Sequence, residues 1–71
     1  MTNTLRVERA ILNISQEELA QKIGVTRQTV NAIELGKYAP SGLVLLKIAF
    51  ICQKPVEKIF QLEDSDWKKY K

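Results

Sequence analysis

Residues 16–35 read QEELAQKIGVTRQTVNAIEL, a run that splits into two short helices around one tight turn. Ser15, just ahead of it, is an N-cap residue: its hydroxyl can accept from an otherwise orphan amide, and Glu18 stands where a capping-box partner belongs. The first helix is expected to stop at Ile23, because Gly24 enters the left-handed conformation without a Cβ penalty and redirects the chain. Thr26 then caps the second helix, expected to run over about Arg27 to Leu35.

Leu19, Ile23, Val25, Val30 and Ile33 are the apolar positions of this run, with small Ala20 beside Leu19. In helices that cross steeply over a short turn, Leu19 and Ile23 face Val30 and Ile33, Val25 plugs the corner, and Ala20 lets the backbones approach. This is a helix-turn-helix pattern. At about 100° per residue, the side of the second helix opposite Val30 and Ile33 carries Gln28, Asn31, Ala32 and Leu35, with Arg27 at its N-terminal edge. Hydrogen-bonding side chains therefore project from a braced helix, as reading base edges in a DNA major groove demands. An ordinary helical hairpin would show the same solvated polar face, but not the agreement of glycine, small residue, two caps and apolar positions. Gln28 carries the paired donor and acceptor that adenine N6 and N7 require. Arg27 can fork onto guanine O6 and N7 or grip a phosphate, and Ala32 can touch a thymine methyl.

The longer run SQEELAQKIGVTRQTVNAIELGKYAPS, residues 15–41, resembles the Cro/CI-type (XRE-like) helix-turn-helix family of prokaryotic and phage transcriptional regulators, and the match extends over most of the chain. The resemblance implies an all-α fold, a compact five-helix bundle of the lambda-repressor-like type, acting as a dimer on operator DNA. By the same resemblance, Arg27, Gln28 and Ala32 match base-facing positions, with Thr26 nearby and Asn31 at the groove margin. Gln16 matches a residue that touches the DNA backbone and packs beside the recognition helix. Arg9 matches an arginine that pairs with a glutamate near the end of that helix, here Glu34. A partly buried bridge fixing the two helices is expected; a solvated pair would contribute only about 0 to 1 kcal/mol. Family members commonly have a leucine where this chain has Gly42, so the first turn of the fourth helix is expected to pack less firmly or fray.

With 71 residues the chain is one small domain, near the lower limit for a self-sufficient core. Residues 1–62 are assigned to the DNA-binding domain and 63–71 to a polar C-terminal tail. The apolar share of 45% and the few glycines and prolines exclude a disordered chain and favour a helical globule. A net charge of +3 and a pI of about 9.2 suit nucleic acid without demanding it, since charge placement matters more than the sum. Cys52 is the only cysteine and histidine is absent, so neither an internal disulfide, a zinc cluster nor a His-based catalytic site can be assembled. No cofactor or metal is expected, and a reduced cytoplasm is the expected setting. The opening residues MTNTLRVERA lack an apolar core of signal-peptide type, and the longest apolar run, Leu43 to Cys52, is short and broken by Lys47. No membrane association is expected.

Upstream of the central run, Met1 to Asn3 reads as an extended or frayed lead, Thr4 or Asn3 as the cap of a first helix to about Leu12, and Asn13 as its end. Leu5 and Ile14 are candidate core residues; Val7, Ala10, Ile11 and Leu12 are too widely spread for a single stripe. Downstream, Gly36 offers a left-handed cap, Lys37 and Tyr38 lie in a short basic loop, and Pro40 forces an extended approach to Ser41. Ser41 caps a helix over Gly42 to Cys52 that is apolar nearly all round. Leu45, Ile48, Ala49 and Cys52 form one stripe, assigned to the core; Leu43, Leu46 and Phe50 form a second, available to a partner subunit. After a break at Lys54 and Pro55, Val56, Ile59 and Phe60 share one side of a short fifth helix. The tail EDSDWKKYK, residues 63–71, reads first as a frayed terminus. Two alternatives stay open: Ile59 to Leu62 pairs as a strand with Thr2 to Leu5, or Trp67 and Tyr70 cover the surplus apolar surface.

Phosphate contacts hold a recognition helix in register, and helix N-termini supply them through outward amides. Gln16 and Ser41 stand at two such ends, Lys37 and Tyr38 are loop candidates, and Arg6 and Lys22 are outer ones. A module of this modest charge grips one half-site weakly, so two copies about 34 Å apart on one face of double-stranded DNA are expected. The homodimer patch would use Leu43 and Phe50 with Val56 and Phe60. One rival reading is an antitoxin-like protein-interaction module in which DNA binding is secondary, kept open by the surplus apolar surface. The other is an enzyme, against which no acidic pair or glycine-rich phosphate loop is present and Cys52 lies among apolar residues, as a core thiol does.

Overall fold

The computed structural model describes residues 1–70, and the side chains of residues 1–67. Among them the order is β1 (Thr2–Asn3), α1 (Leu5–Leu12), α2 (Gln16–Ile23), α3 (Arg27–Glu34), α4 (Gly42–Cys52), α5 (Val56–Ile59) and β2 (Phe60–Gln61), followed by a 3₁₀ segment over Asp64–Tyr70. The fold is all-α in its architecture, five helices with one two-stranded antiparallel sheet joining the ends. No helix among the described residues is long and apolar enough to cross a membrane.

Local chemistry sets the helix ends. Ser15 and Glu18 form a reciprocal capping box, Glu18 N donating to Ser15 Oγ at 3.0 Å and Ser15 N to Glu18 Oε1 at 2.8 Å. Gly24 ends α2 at φ 76°, a left-handed value that costs glycine little. Thr26 Oγ1 accepts from Thr29 N at 3.1 Å to start α3. That helix ends at Glu34, one residue before the expected Leu35. Leu35 is its cap, Gly36 turns left-handed at φ 76°, and the amides of Gly36 and Lys37 reach back to the carbonyls of Ile33 and Ala32 at 3.0 and 2.9 Å. At α1, Asn3 supplies the side-chain cap: Leu5 N donates to Asn3 Oδ1 at 3.0 Å, while Thr4 makes no such bond.

The core is one cluster fed by every helix. Leu5, Leu19, Ile23, Val30, Ile33, Ile48 and Ile59 are each at most 1% exposed, with Ala20 and Cys52 also buried. Ile14, Val25, Val44, Leu45, Ile51 and Val56 pack around them, partly buried. Val7, Ile11 and Leu12 stay exposed on α1. Between them Glu8 is buried, its carboxylate accepting from Lys54 Nζ at 2.9 Å just beyond the end of α4. Taking Lys54 away would leave that carboxylate buried and unpaired.

The chain ends and the start of α4 decide several expectations. Met1 to Asn3 takes the extended of its two expected forms, because Thr2 pairs with Gln61 and Asn3 with Phe60, and Thr4 N donates to Ile59 O at 2.9 Å. The pairing is narrower than Thr2 to Leu5 with Ile59 to Leu62, since Leu5 and Ile59 are already helical. Phe60 therefore leaves α5, enters β2 and turns into this chain's own core at 6% exposed, so it is not available for the partner-facing role expected of it. The tail is not frayed along its described length. Its 3₁₀ segment lies beside the amino terminus, and the Met1 amine stands 2.6 Å from Glu63 Oε1 and 3.0 Å from Asp66 Oδ2. The hydrogen bonds it donates, to Glu63 first and Asp66 second, hold that amine above its ordinary 8.0. Trp67 is 60% exposed and does not cover the surplus apolar surface; the side chain of Tyr70 lies outside the described residues. The first turn of α4 is formed rather than frayed, Ser41 Oγ accepting from Val44 N at 3.3 Å. The missing side chain of Gly42 leaves open space, with nothing within 4 Å of where its Cβ would stand.

Candidate nucleic-acid interface

Burial divides α3 into two faces of opposite chemistry. Val30 and Ile33 are buried to 0% and 1% exposure, which pins the helix against α2 and the core. Arg27, Gln28 and Asn31 are exposed, Ala32 is half-buried at their margin, and Thr26 and Leu35 are exposed at the two ends. A guanidinium and two carboxamides thus stand on one side of a helix whose other side cannot rotate without opening the core.

Polar tethers from three other parts of the chain hold the C-terminal half of this helix. Arg9 Nε donates to Glu34 Oε2 at 2.6 Å and Arg9 Nη2 to Glu34 Oε1 at 3.3 Å, while Arg9 Nη1 donates to Ile14 O at 3.0 Å. The side chains of Arg9 and Glu34 are only 16% and 5% exposed, and the hydrogen bond to Glu34 raises the guanidinium above its ordinary pKa. Gln16 Nε2 donates to Asn31 Oδ1 at 3.1 Å and to Glu34 Oε1 at 3.0 Å. Asn3 Nδ2 donates to Ile33 O at 2.8 Å. Arg9, Gln16, Asn31 and Glu34 therefore form one bonded set; Arg6 and Lys22 take no part in it.

Several site candidates are constrained by what they already bond. Gln16 directs both hydrogens of its amide inward, so its main-chain N–H at the first turn of α2 is what it offers a phosphate. That turn also carries Glu17 and Glu18, whereas the first turns of α3 and α4 contain no acid, and anions favour the latter ends. Thr26 Oγ1 lies 2.9 Å from Thr29 Oγ1 and accepts from Thr29 N, which engages its hydroxyl in the cap. Ser41, Lys37 and Tyr38 are exposed around the loop from α3 to α4. Lys22 lines an open groove of about 360 Å³ with Leu46, Lys47, Phe50 and Ile51, so its surroundings are those of α4.

Sequence reasoning missed the amide half of Asn3. A cap uses only the side-chain oxygen, and the unused NH₂ of a residue folded into a strand is the one signal that a second partner exists. Glu8 was also overlooked, since its carboxylate interrupts the apolar period of α1.

Comparison with known proteins places this geometry. A sequence model described as helix-turn-helix matches residues 5–59, from the first turn of α1 to the last residue of α5. An uncharacterized HTH-type transcriptional regulator of Methanocaldococcus jannaschii, MJ0272, is 48% identical over 66 residues, covering 93% of this chain and 100% of the relative. A second, YgzD of Bacillus subtilis, is 46% identical over 66 residues with the same coverage, 93% and 100%. A third, from Methanothermobacter thermautotrophicus, is 41% identical over 69 residues, covering 96% of this chain and 100% of the relative. With that match spanning the braced helix pair and its Arg9 and Gln16 tethers, the chain belongs to the Cro/CI-type (XRE-like) helix-turn-helix family, a family of DNA-binding transcriptional regulators.

Proposed function

We propose that this chain is a sequence-specific regulator that lays α3 in the major groove of operator DNA. The observation that carries the reading is the exposed row of Arg27, Gln28 and Asn31 on a helix fixed from behind by Val30, Ile33 and Glu34. Gln28 reads adenine, Arg27 reads guanine or a phosphate, and Ala32 meets a thymine methyl, each good bidentate pair giving about 1 to 3 kcal/mol of discrimination. Asn31 keeps its NH₂ for a base, its oxygen being held by Gln16; Thr26 contributes at the groove edge. The main-chain amide of Gln16, the hydroxyl of Ser41 and the side chains of Lys37 and Tyr38 take phosphates, with Arg6 and Lys22 further out.

Two copies act together, because a single half-site contact of this charge is weak. Leu43 and Phe50 are 64% and 84% exposed, and with half-buried Val56 they form the homodimer patch that removes this apolar surface from water. A dimer seated on an operator excludes other proteins from the same DNA, and repression is its direct consequence. Selection of bound sequences from random duplexes, repeated with Gln28→Ala at two salt concentrations, tests the reading. The wild-type chain should enrich a twofold-symmetric site, and the variant should lose preference at one position of each half. An unchanged preference in Gln28→Ala would remove Gln28 as a reader of bases. Sedimentation showing only monomer at micromolar concentration, with and without the selected duplex, would remove the dimer.

A further inference from the structure

We infer that Asn3 is a positioning residue for DNA recognition: from the terminal sheet it sets the tilt of α3 and so the aim of the base-facing side chains. The inference rests on the reading of α3 as the recognition helix. Asn3 bonds in two directions at once. Its Oδ1 accepts from Leu5 N at 3.0 Å and its Nδ2 donates to Ile33 O at 2.8 Å, so one side chain ties the start of α1 to the last turn of α3. Its backbone is itself anchored, because Asn3 pairs with Phe60 and Thr4 N donates to Ile59 O at 2.9 Å. The same strand passes over the cap of α3, Met1 O lying 3.6 Å from where a Cβ on Gly36 would be.

The mechanical consequence follows from having two kinds of attachment. Buried Val30 and Ile33 stop α3 from rolling, while Arg9 and Gln16 hold it only through the side chains of Glu34 and Asn31, which fix its tilt less firmly than a bond to its backbone does. Asn3 grips the backbone carbonyl of Ile33, one residue before Glu34, from a point six residues earlier in the chain than Arg9 and in β1, outside α1 altogether. A backbone grip from β1 added to side-chain grips from α1 and α2 constrains the angle of α3 more than the side-chain grips do by themselves. Bidentate base contacts tolerate little angular error, whereas phosphate contacts from flexible lysine and arginine side chains adapt. Asn3 should therefore act on specific binding and leave non-specific binding nearly intact.

Two variants separate positioning from simple capping. Asn3→Asp keeps an oxygen for Leu5 N and adds a charge that suits the start of α1, but it sets a carboxylate against the Ile33 carbonyl. Asn3→Ser keeps a short uncharged cap that cannot reach Ile33. Affinity for the duplex selected by the wild-type chain and for a random-sequence duplex is measured at one salt concentration, below the unfolding midpoint of each protein. Both variants should lose about tenfold on the selected duplex and less than about twofold on the random one. Amide exchange at Gly36 and Lys37, read without DNA, should accelerate in both. An affinity ratio unchanged within about twofold in both variants overturns the inference, and so does equal loss on both duplexes. A wild-type chain that selects no sequence overturns the recognition reading and this inference with it, and it is told apart because it appears before any variant is made.

Discussion

Helices α3 and α4 share an inner face and differ on the outer one. Inward, Val30 and Ile33 of α3 and Ile48 and Cys52 of α4 enter the same core. Outward, α3 shows Arg27, Gln28 and Asn31 and is held by bonds from Asn3, Arg9 and Gln16, while α4 shows Leu43, Leu46 and Phe50, each more than 60% exposed. Water hydrogen-bonds to the first face and loses orientational freedom beside the second. Orientation matters to a face proposed to meet base edges, and α3 is tethered by polar bonds from three other parts of the chain, whereas among the described residues α4 makes one such bond, Lys47 Nζ to Ile23 O at 3.4 Å. A face that needs only to leave water can be less directional, and α4 carries no comparable set. In the proposed function, the contrast gives specificity to one helix and association to the other.

The largest effect separates inner from outer faces. Ile33→Ala should destabilise the fold by about 4 kcal/mol, through lost transfer energy and a cavity, while Leu46→Ala should stay within about 0.5 kcal/mol; denaturant melts at equal concentration check both. Next comes the tether. Arg9→Ala leaves the Glu34 carboxylate, 5% exposed, without its countercharge and with the Gln16 amide as its remaining side-chain donor, and should cost about 3 kcal/mol, lowering the thermal midpoint by more than about 10 °C for a domain of this size. An unchanged midpoint and unchanged DNA affinity would show that the pair fixes nothing.

Smaller effects test the outer faces themselves. Gln28→Ala should leave stability within about 0.5 kcal/mol and reduce discrimination at one base pair by about 2 kcal/mol, read by competition between duplexes that differ at that position. Phe50→Ser should likewise spare the fold and raise the dimer dissociation constant about tenfold, close to 1.4 kcal/mol, read by sedimentation. The smallest effect concerns the inner face of α4. Burial first, and Glu8 second, push the Cys52 thiol above its ordinary 9.0. The fold favours the neutral thiol, so this contribution is complete below that ordinary value and is lost as the pH rises through the raised one. The midpoint of the wild-type chain relative to Cys52→Ala should accordingly fall only at alkaline pH.

How much of this was legible in the sequence depended on how local each signal was. The central helix pair was readable because Ser15, Glu18, Gly24 and Thr26 act within one turn of their partners, and Val30 and Ile33 declare their face by spacing alone. Arg9 and Glu34 are 25 residues apart, and the family resemblance, with no local rule behind it, suggested their pairing. The two-residue strands were too short to carry an alternation, so Phe60 was read as continuing the apolar side of α5 when it turns inward on β2. Asn3 was recognised as a cap for its oxygen only. The resemblance put Gln16 both on the DNA backbone and beside the recognition helix, but the acceptors that hold its amide there, Asn31 and Glu34 on a different helix, could not be seen along the chain.

The central claim is that the polar side of α3, and not the apolar side of α4, meets the bases. Titrating the isotopically labelled protein with its selected duplex and following the side-chain amide resonances of Gln28 and Asn31 alongside the Leu46 methyls and the Phe50 ring tests it directly. The account predicts that the Gln28 and Asn31 resonances shift and their hydrogens become protected from exchange, while Leu46 and Phe50 respond no more to the selected duplex than to a random one. Unmoved carboxamides together with a sequence-dependent response confined to α4 would contradict it.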